Sequence, residues 1–338
     1  MRRCLLPLLL LAACGGKAVT LSHPDLEAEA FRTDVIDAAA AGDLLLDLAT
    51  PAGDVTIEVA DGPPQLVAKM RLSARTEAEA ERLLAGFSVS THATGSAFVV
   101  RLEGEPARIP KTDILVRPLL SFSARVPPGQ RLSAESGSGN VDVMGAAGDC
   151  SLKAAFGDLK VLGVRGAKLE ARTSSGSVQV EDVAAGSITI DSAFGEVRLV
   201  NVRGDLDVKA GSGDVALKGF SDGTCDLETG FGDIEARGVF LDLTARTSSG
   251  RVGVLAEPGS TIERPWSLKS SFGDVELRVP KDFDCNVFAE TSFGSVTSDV
   301  DLREQGKRSD RRMRGEIGAG GGRITLQTSS GDVRIRSY

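Results

Sequence analysis

The chain has 338 residues, a formal net charge of −8, 25% charged residues and only 4% aromatics. Counterion release needs clustered Lys and Arg, and single-strand recognition needs stacking aromatics, so this balance excludes nucleic acid as the expected partner. The length suggests two domains, but length does not count domains where a repeat is present.

The first segment in chain order is an address. Arg2 and Arg3 precede an apolar run over residues 5–12, which ends in Leu11-Ala12-Ala13-Cys14 before Gly15. The run is shorter than the ~20 apolar residues of a membrane span, and its charged, apolar, small-residue order is that of an export signal. Leu11 to Cys14 resemble the lipobox of bacterial lipoproteins. That resemblance implies cleavage after residue 13, lipidation of Cys14 and residence on the outer face of a membrane. Gly15 resembles the second mature residue of lipoproteins sent on to an outer membrane. An ordinary secretory signal with an incidental cysteine is the alternative. Removing residues 1–13 takes away two arginines and moves the formal charge from −8 to −10. A polar tether over residues 14–26 is expected next.

Residues 27–130 read as an irregular β section. Ala52-Gly53-Asp54-Val55 already has the phrase that dominates the rest of the chain. Residues 76–87 place Leu83 and Leu84 on one side and Glu77, Glu79, Glu81 and Arg82 on the other, with Thr76 before Glu79 as a capping box, which predicts one short amphipathic helix. Strands are expected over residues 87–92, 97–102 and 114–126, before the break at Pro127-Pro128-Gly129. This section is expected to cap the first edge of the strands that lie beyond residue 130, since a bare edge invites strand addition.

From residue 131 to 338 the chain repeats one phrase, a Gly preceded by Ser or Phe. It is anchored at Gly139, Gly157, Gly176, Gly195, Gly213, Gly232, Gly250, Gly273, Gly294 and Gly331. Two and four residues after the Gly stand apolar pairs such as Val178 and Val180, or Val215 and Leu217. Seven and five residues before it stand pairs such as Leu169 and Ala171, or Ile188 and Ile190. Alternation of that kind is a strand with one buried face. Two strands and two turns in about 18 residues predict one flattened coil of a parallel β-solenoid, an all-β fold of roughly ten coils rising ~4.8 Å each. The glycines are expected where the backbone needs positive φ or where turns stack too closely for a side chain.

Three columns then emerge. The residue before the Gly alternates Ser138, Phe156, Ser175, Phe194, Ser212, Phe231, Ser249, Phe272, breaks at Phe293 and resumes at Ser330. Large over small in register predicts close packing, with an aromatic ladder gripping a sugar or peptide as the functional alternative. The residue after the Gly is acidic at Asp158, Glu196, Asp214, Asp233, Asp274 and Asp332. Turn capping is the expected role, and a calcium column the alternative. Cys150, Cys225, Cys285 and Trp266 share the inward parity. Counting coils places Cys225 three coils, about 14 Å, from Cys285 and further from Cys150. A disulfide needs Cα atoms within about 7 Å, so buried free thiols are expected.

Catalysis finds little support. The two histidines, His23 and His92, belong to no metal or triad motif, and no CxxC occurs. Polysaccharide lyases and hydrolases also use parallel β-helices, but with longer coils and a local charged cluster not found here, so they are a remote alternative. No cofactor or metal is expected. Residues 303–314 interrupt the repeat as a basic insertion, with Arg308, Arg311 and Arg312 as candidate contacts to an acidic partner or lipid head group and a solvated loop as the bland alternative.

The phrases Ser136-Gly137-Ser138-Gly139-Asn140-Val141 and Thr173-Ser174-Ser175-Gly176, and the closing run from Gly318 through Gly322 to Gly331-Asp332-Val333, resemble the DUF4097 family, a group of adhesin-type or head-GIN-like β-solenoids. The resemblance covers roughly residues 27–338 and departs from the pattern between Gly294 and Gly331. It implies an extracytoplasmic, non-enzymatic solenoid with no catalytic residues to carry over. The expected protein is an envelope lipoprotein, held at the membrane by its lipid, that binds an unidentified protein or glycan in the manner of an adhesin. A periplasmic scaffold or envelope-stress partner is the alternative.

Overall fold

The computed structural model describes residues 9–10, 19–20, 26–38, 44–110, 112, 114–146, 148–305 and 309–338. The chain divides into two compact units, residues 1–147 with 151–157, and residues 148–150 with 158–338.

In the first unit the phrase at Gly53 does build a coil. Strands Leu45–Thr50 and Val55–Val59 pair parallel with Leu132–Ser138 and Val141–Met144, in a register that sets Leu46 beside Leu132 and Val55 beside Val141. Leu119–Val126 lies on the other side of Val55–Val59, also parallel, and then pairs antiparallel with Gln65–Ala74, which pairs antiparallel with Ala28–Asp37. The hairpin of Ser88–Thr94 and Ala97–Glu103 joins Leu45–Thr50 through its second strand. The helix is Glu77–Leu84, shorter than the 76–87 read from sequence. It sits against Ala28–Asp37 and Gln65–Ala74, burying Ala80 and Leu84. Thr76 caps it by accepting from Glu79 N at 3.2 Å, while the Glu79 carboxylate accepts from Arg75 N rather than from Thr76 N. The reciprocal half of the capping box is therefore displaced by one residue. The helix ends at Ala85, and Phe87, read as the start of a strand, is instead 2% exposed core.

The second unit is a parallel β-solenoid. Each coil has a leading strand before its glycine and a trailing strand after it, and each pairs with its counterpart in the next coil. Thus Ile188 lies beside Leu206, Leu206 beside Cys225 and Cys225 beside Leu243 in the leading row. Val197 lies beside Val215, Val215 beside Ile234 and Ile234 beside Val252 in the trailing row. The inward positions are closed to solvent, Val197, Leu199, Val215 and Leu217 being at most 1% exposed. Burial of such a side chain contributes about 1.5–3 kcal/mol, and it repeats at every coil. Near the opposite turn a buried aromatic series runs from coil to coil: Phe220 stacks on Phe240 at 5.6 Å, Phe240 meets Trp266 edge-on at 6.1 Å, and Trp266 meets Phe283 at 5.7 Å.

The glycine turn is forced by sterics. Gly213 and Gly232 have φ of +135° and +147°, and a Cβ on either would run into the carbonyl of the glycine one coil earlier, Gly195 or Gly213.

The last coils do not follow chain order. Arg323–Ser330 pairs on one side with Trp266–Phe272 and on the other with Cys285–Phe293, while Val333–Ser337 lies between Val275–Val279 and Val296–Ser298. The coil of Gly331, last in the chain, is thus inserted between the coils of Gly273 and Gly294. Two consequences correct the sequence reading. Cys285 is four coils from Cys225, about 19 Å rather than 14 Å, because the inserted coil intervenes. The Ser and Phe alternation that breaks in the sequence at Phe293 is also unbroken in space, because Ser330 stands between Phe272 and Phe293.

The segment read as a basic insertion over residues 303–314 is in part a hairpin. Leu302–Glu304 pairs antiparallel with Arg312–Ile317, which pairs antiparallel with Cys285–Phe293. Met313, Gly315 and Ile317 are buried in alternation, so the strand covers the outer edge of the final coil.

Candidate functional site

Four columns run along the glycine turns of the second unit, and each has a different task. The inward hydroxyl three residues before the Gly donates to a glycine carbonyl in the neighbouring coil. Thr229 reaches Gly213 O at 3.0 Å, Thr247 reaches Gly232 O at 3.0 Å, Ser270 reaches Gly250 O at 2.8 Å and Thr328 reaches Gly273 O at 2.8 Å. These satisfy carbonyls that face inward at the turn, where an unpaired polar group would be costly.

The five aspartates of the acidic column do cap turns, but the turn of the next coil, while Glu196 pairs with Arg198 instead. Asp158 Oδ1 accepts from Ser177 N at 2.7 Å, Asp214 from Asp233 N at 2.8 Å, Asp233 from Arg251 N at 2.7 Å, Asp274 from Asp332 N at 2.8 Å and Asp332 from Ser295 N at 2.9 Å. A similar bond crosses the opposite turn, where Asp205 accepts from Thr224 N at 2.9 Å. The donated amides, Thr224 N for Asp205 and Ser295 N for Asp332, hold both carboxyls below their ordinary 3.8. No group of three His, Cys, Asp or Glu side chains that could hold a metal occurs among the described residues.

A pH dependence arises from those bonds. A carboxyl whose folded pKa is depressed stabilises the fold above its unfolded value, and that stability is lost as pH falls through the folded value. The urea midpoint is therefore expected to hold down to about pH 4 and to drop below it. Asp332→Ala is expected to lower the midpoint at neutral pH and to flatten the acid loss. A wild-type midpoint that stays level far below pH 4 would contradict this.

The ring column differs most from its expectation. Register is as predicted, with Phe194 beside Ser212, Ser212 beside Phe231, Phe231 beside Ser249, Ser249 beside Phe272, and Ser330 between Phe272 and Phe293. Burial is not. Phe194, Phe231, Phe272 and Phe293 are 64%, 65%, 65% and 71% exposed, so they do not pack over the serines as core. The turn explains it. The position shares inward parity with the hydroxyl two residues earlier, but it stands at the glycine turn, beyond the last buried position of the leading strand.

Behind the rings the outer face is low. The residues two before the Gly are Gly211, Gly230, Ser248, Ser271, Ser329 and Ser292, and a groove runs over the four serines beside Glu228, Arg246, Lys269, Gln327 and Glu290. On the trailing face Glu276 is 3% exposed beneath Arg251, Arg278 and Arg336. Burial raises its carboxyl, but the Arg278 hydrogen bond and the three guanidinium charges outweigh that and hold it low. With Asp299 3.8 Å from Arg336, the cluster sets three guanidinium groups against two carboxylates.

Of the sequence candidates, Cys14 and Arg308 lie outside the described residues. Arg312 is held by Glu290, its Nε at 3.1 Å from Oε1, and lies over the Phe288 ring at 5.6 Å. Arg311 is exposed, with its carbonyl accepting from Thr291 N at 2.9 Å. The structure thus separates the two described arginines into an edge clasp and an exposed charge. Cys150, Cys225 and Cys285 are free and buried, and burial, with the nearby Asp149 and Asp284 charges, pushes the Cys150 and Cys285 thiols up to about 12.

Coils that cover only their neighbours, with turn chemistry in fixed columns, define a repeat protein of the β-solenoid class. The profile of the Toastrack DUF4097 family matches residues 107–224 and 205–336, and the chain belongs to that family. No curated protein matches the chain. Among solved structures it is similar to a candidate adhesin from Parabacteroides distasonis, 14% identical, with a TM-score of 0.44 over 92% of this chain and 98% of that one. It is also similar to a candidate adhesin from Parabacteroides merdae, 11% identical, with a TM-score of 0.34 over 92% and 97%. A candidate lipid-binding protein from Parabacteroides distasonis is 12% identical, with a TM-score of 0.34 over 92% and 97%. At these scores the likenesses carry no further argument.

Proposed function

We propose that this chain is a non-enzymatic binding module of the bacterial envelope, tethered through a lipid on Cys14 and engaging its ligand in the manner of an adhesin along the ringed edge of its solenoid. One observation carries the reading. Phe194, Phe231, Phe272 and Phe293 are held in register at the surface, where they contribute little to the core. Aligned exposed apolar groups mark contact surfaces, whereas scattered ones do not. The aspartates of the acidic column are already engaged, since they hold the amides of adjacent turns. The envelope location rests on the export signal and Cys14 in the sequence.

Protease added to intact cells tests it. Cleavage, with a periplasmic control protein left whole, is expected for a surface binder. Protection that ends only when the outer membrane is breached favours the periplasmic scaffold. Recovery of an unlipidated chain from the cytoplasm overturns the envelope reading.

A further inference from the structure

The ringed edge repeats with a period that selects among ligands. Neighbouring coils are ~4.8 Å apart, so rings on every second coil recur at about 9.6 Å. The period is kept in space even where the chain order is not, because the coil of Gly331 inserts a Ser between Phe272 and Phe293. Without that insertion the two rings would stand on adjacent coils.

A second copy of the chain is the first occupant to weigh, since rings of one copy could enter the serine gaps of another. Four rings at about two-thirds exposure offer on the order of 500 Å², below the ~800 Å² per partner of a standard interface. The groove beside the rings also matters. Its wall carries Glu228 and Glu290 against Arg246 and Lys269, two charges of each sign, with Gln327 among them and a floor of Ser and Thr. Such a surface complements a neutral chain rich in hydroxyls better than an anionic polymer or an apolar helix.

We infer that the edge binds a β-1,4-linked glycan lying along the stack, a ligand class that rests on the binding-module reading above and makes it specific. In such a glycan successive sugars are turned by half a rotation, so the same face recurs at every second sugar, a disaccharide length close to the ring period. The C–H bonds on that face carry partial positive charge and lie flat against the negative face of a ring. The equatorial hydroxyls then point sideways, toward the serines between rings and the carboxylate, guanidinium and ammonium groups of the groove.

Isothermal titration of the full chain in detergent with chitohexaose and cellohexaose tests this, with maltohexaose, whose α-linkages coil the chain, as the control. Saturable binding of a β-linked hexamer is expected, weaker for the dimer and absent for maltohexaose. Phe231→Ser with Phe272→Ser should weaken it at least about tenfold, and Phe231→Tyr should retain it. Serine already occupies this column in alternate coils, so the variants should fold, and an unchanged thermal midpoint verifies it. Absence of β-glycan binding, equal binding of maltohexaose, or binding indifferent to the ring changes would overturn the inference. Light scattering on the same samples separates its failure from that of the parent reading. Self-association lost with the rings would assign the edge to a second copy and leave a binding module standing. With neither glycan binding nor ring-dependent association, the ringed edge is not a binding surface and both readings fall.

Discussion

Gly232→Ala is expected to unfold the solenoid unit, with a loss on the order of 4 kcal/mol or more in urea denaturation followed by circular dichroism. Two effects combine. At φ +147° an alanine occupies a region almost reserved for glycine, which costs about 1–3 kcal/mol. Its Cβ would also run into the Gly213 carbonyl of the coil before. That atom is backbone in a paired stack, so relief requires the coil to move. Movement would strain the Thr247 hydroxyl bond to Gly232 O, 3.0 Å, and the Asp233 bond to Arg251 N, 2.7 Å. Gly253→Ala is the matched control, because its nearest neighbours, Arg251 Nε and Ile234 O, are 3.9 Å from an added Cβ. That change should be within about 0.5 kcal/mol of neutral. Equal losses for the two variants would refute the account of the turn.

Deleting residues 323–338 is expected to release more than the residues removed. Strands Arg323–Ser330 and Val333–Ser337 separate the coil of Gly273 from that of Gly294. Without them Cys285–Phe293 keeps only its antiparallel partner Arg312–Ile317, and Val296–Ser298 loses its pairing with Val333–Ser337. Val275–Val279 becomes a bare edge on one side. Amide hydrogen exchange should show protection lost across residues 285–317, while residues 178–256 remain protected, since repeat stability is set by nearest neighbours. The exposed edge should also promote association through strand pairing. Retained protection over residues 285–298 would mean that the Gly294 coil can close directly on the Gly273 coil, which brings Phe293 beside Phe272.

Much of this was legible in the sequence, because glycine spacing and inward parity are local properties. The offset of seven placed Cys225 and Trp266 in the core, and both are at most 2% exposed. Coil order was not legible in the same way, since a phrase such as Ser330-Gly331-Asp332-Val333 fits any gap in the stack. The clue was nonetheless present. The alternation faltered at Phe293 and would have been restored by moving Ser330 one place forward. Ring exposure was missed because large over small in register was read as close packing, whereas register fixes which residues are neighbours and not whether they face water. The edge strand Arg312–Ile317 was hidden for a different reason. Its arginines dominated the segment, while the alternation of Met313, Gly315 and Ile317 was short and included a glycine. The candidate site was thus legible as a column of residues, but its solvent exposure depends on three-dimensional turn geometry.

The inserted coil also bears on how the protein is made. A repeat array can grow one coil at a time as the chain emerges N-terminus first, each coil docking on a finished neighbour. Here that order fails near the end. When residues 285–298 emerge, the place beside Val275–Val279 belongs to strands that follow them in the chain, so the Gly294 coil must wait or dock in the wrong register. Completion of the stack therefore waits on residues 323–337, and a product that ends before Arg323 would carry an unfilled gap between the coils of Gly273 and Gly294.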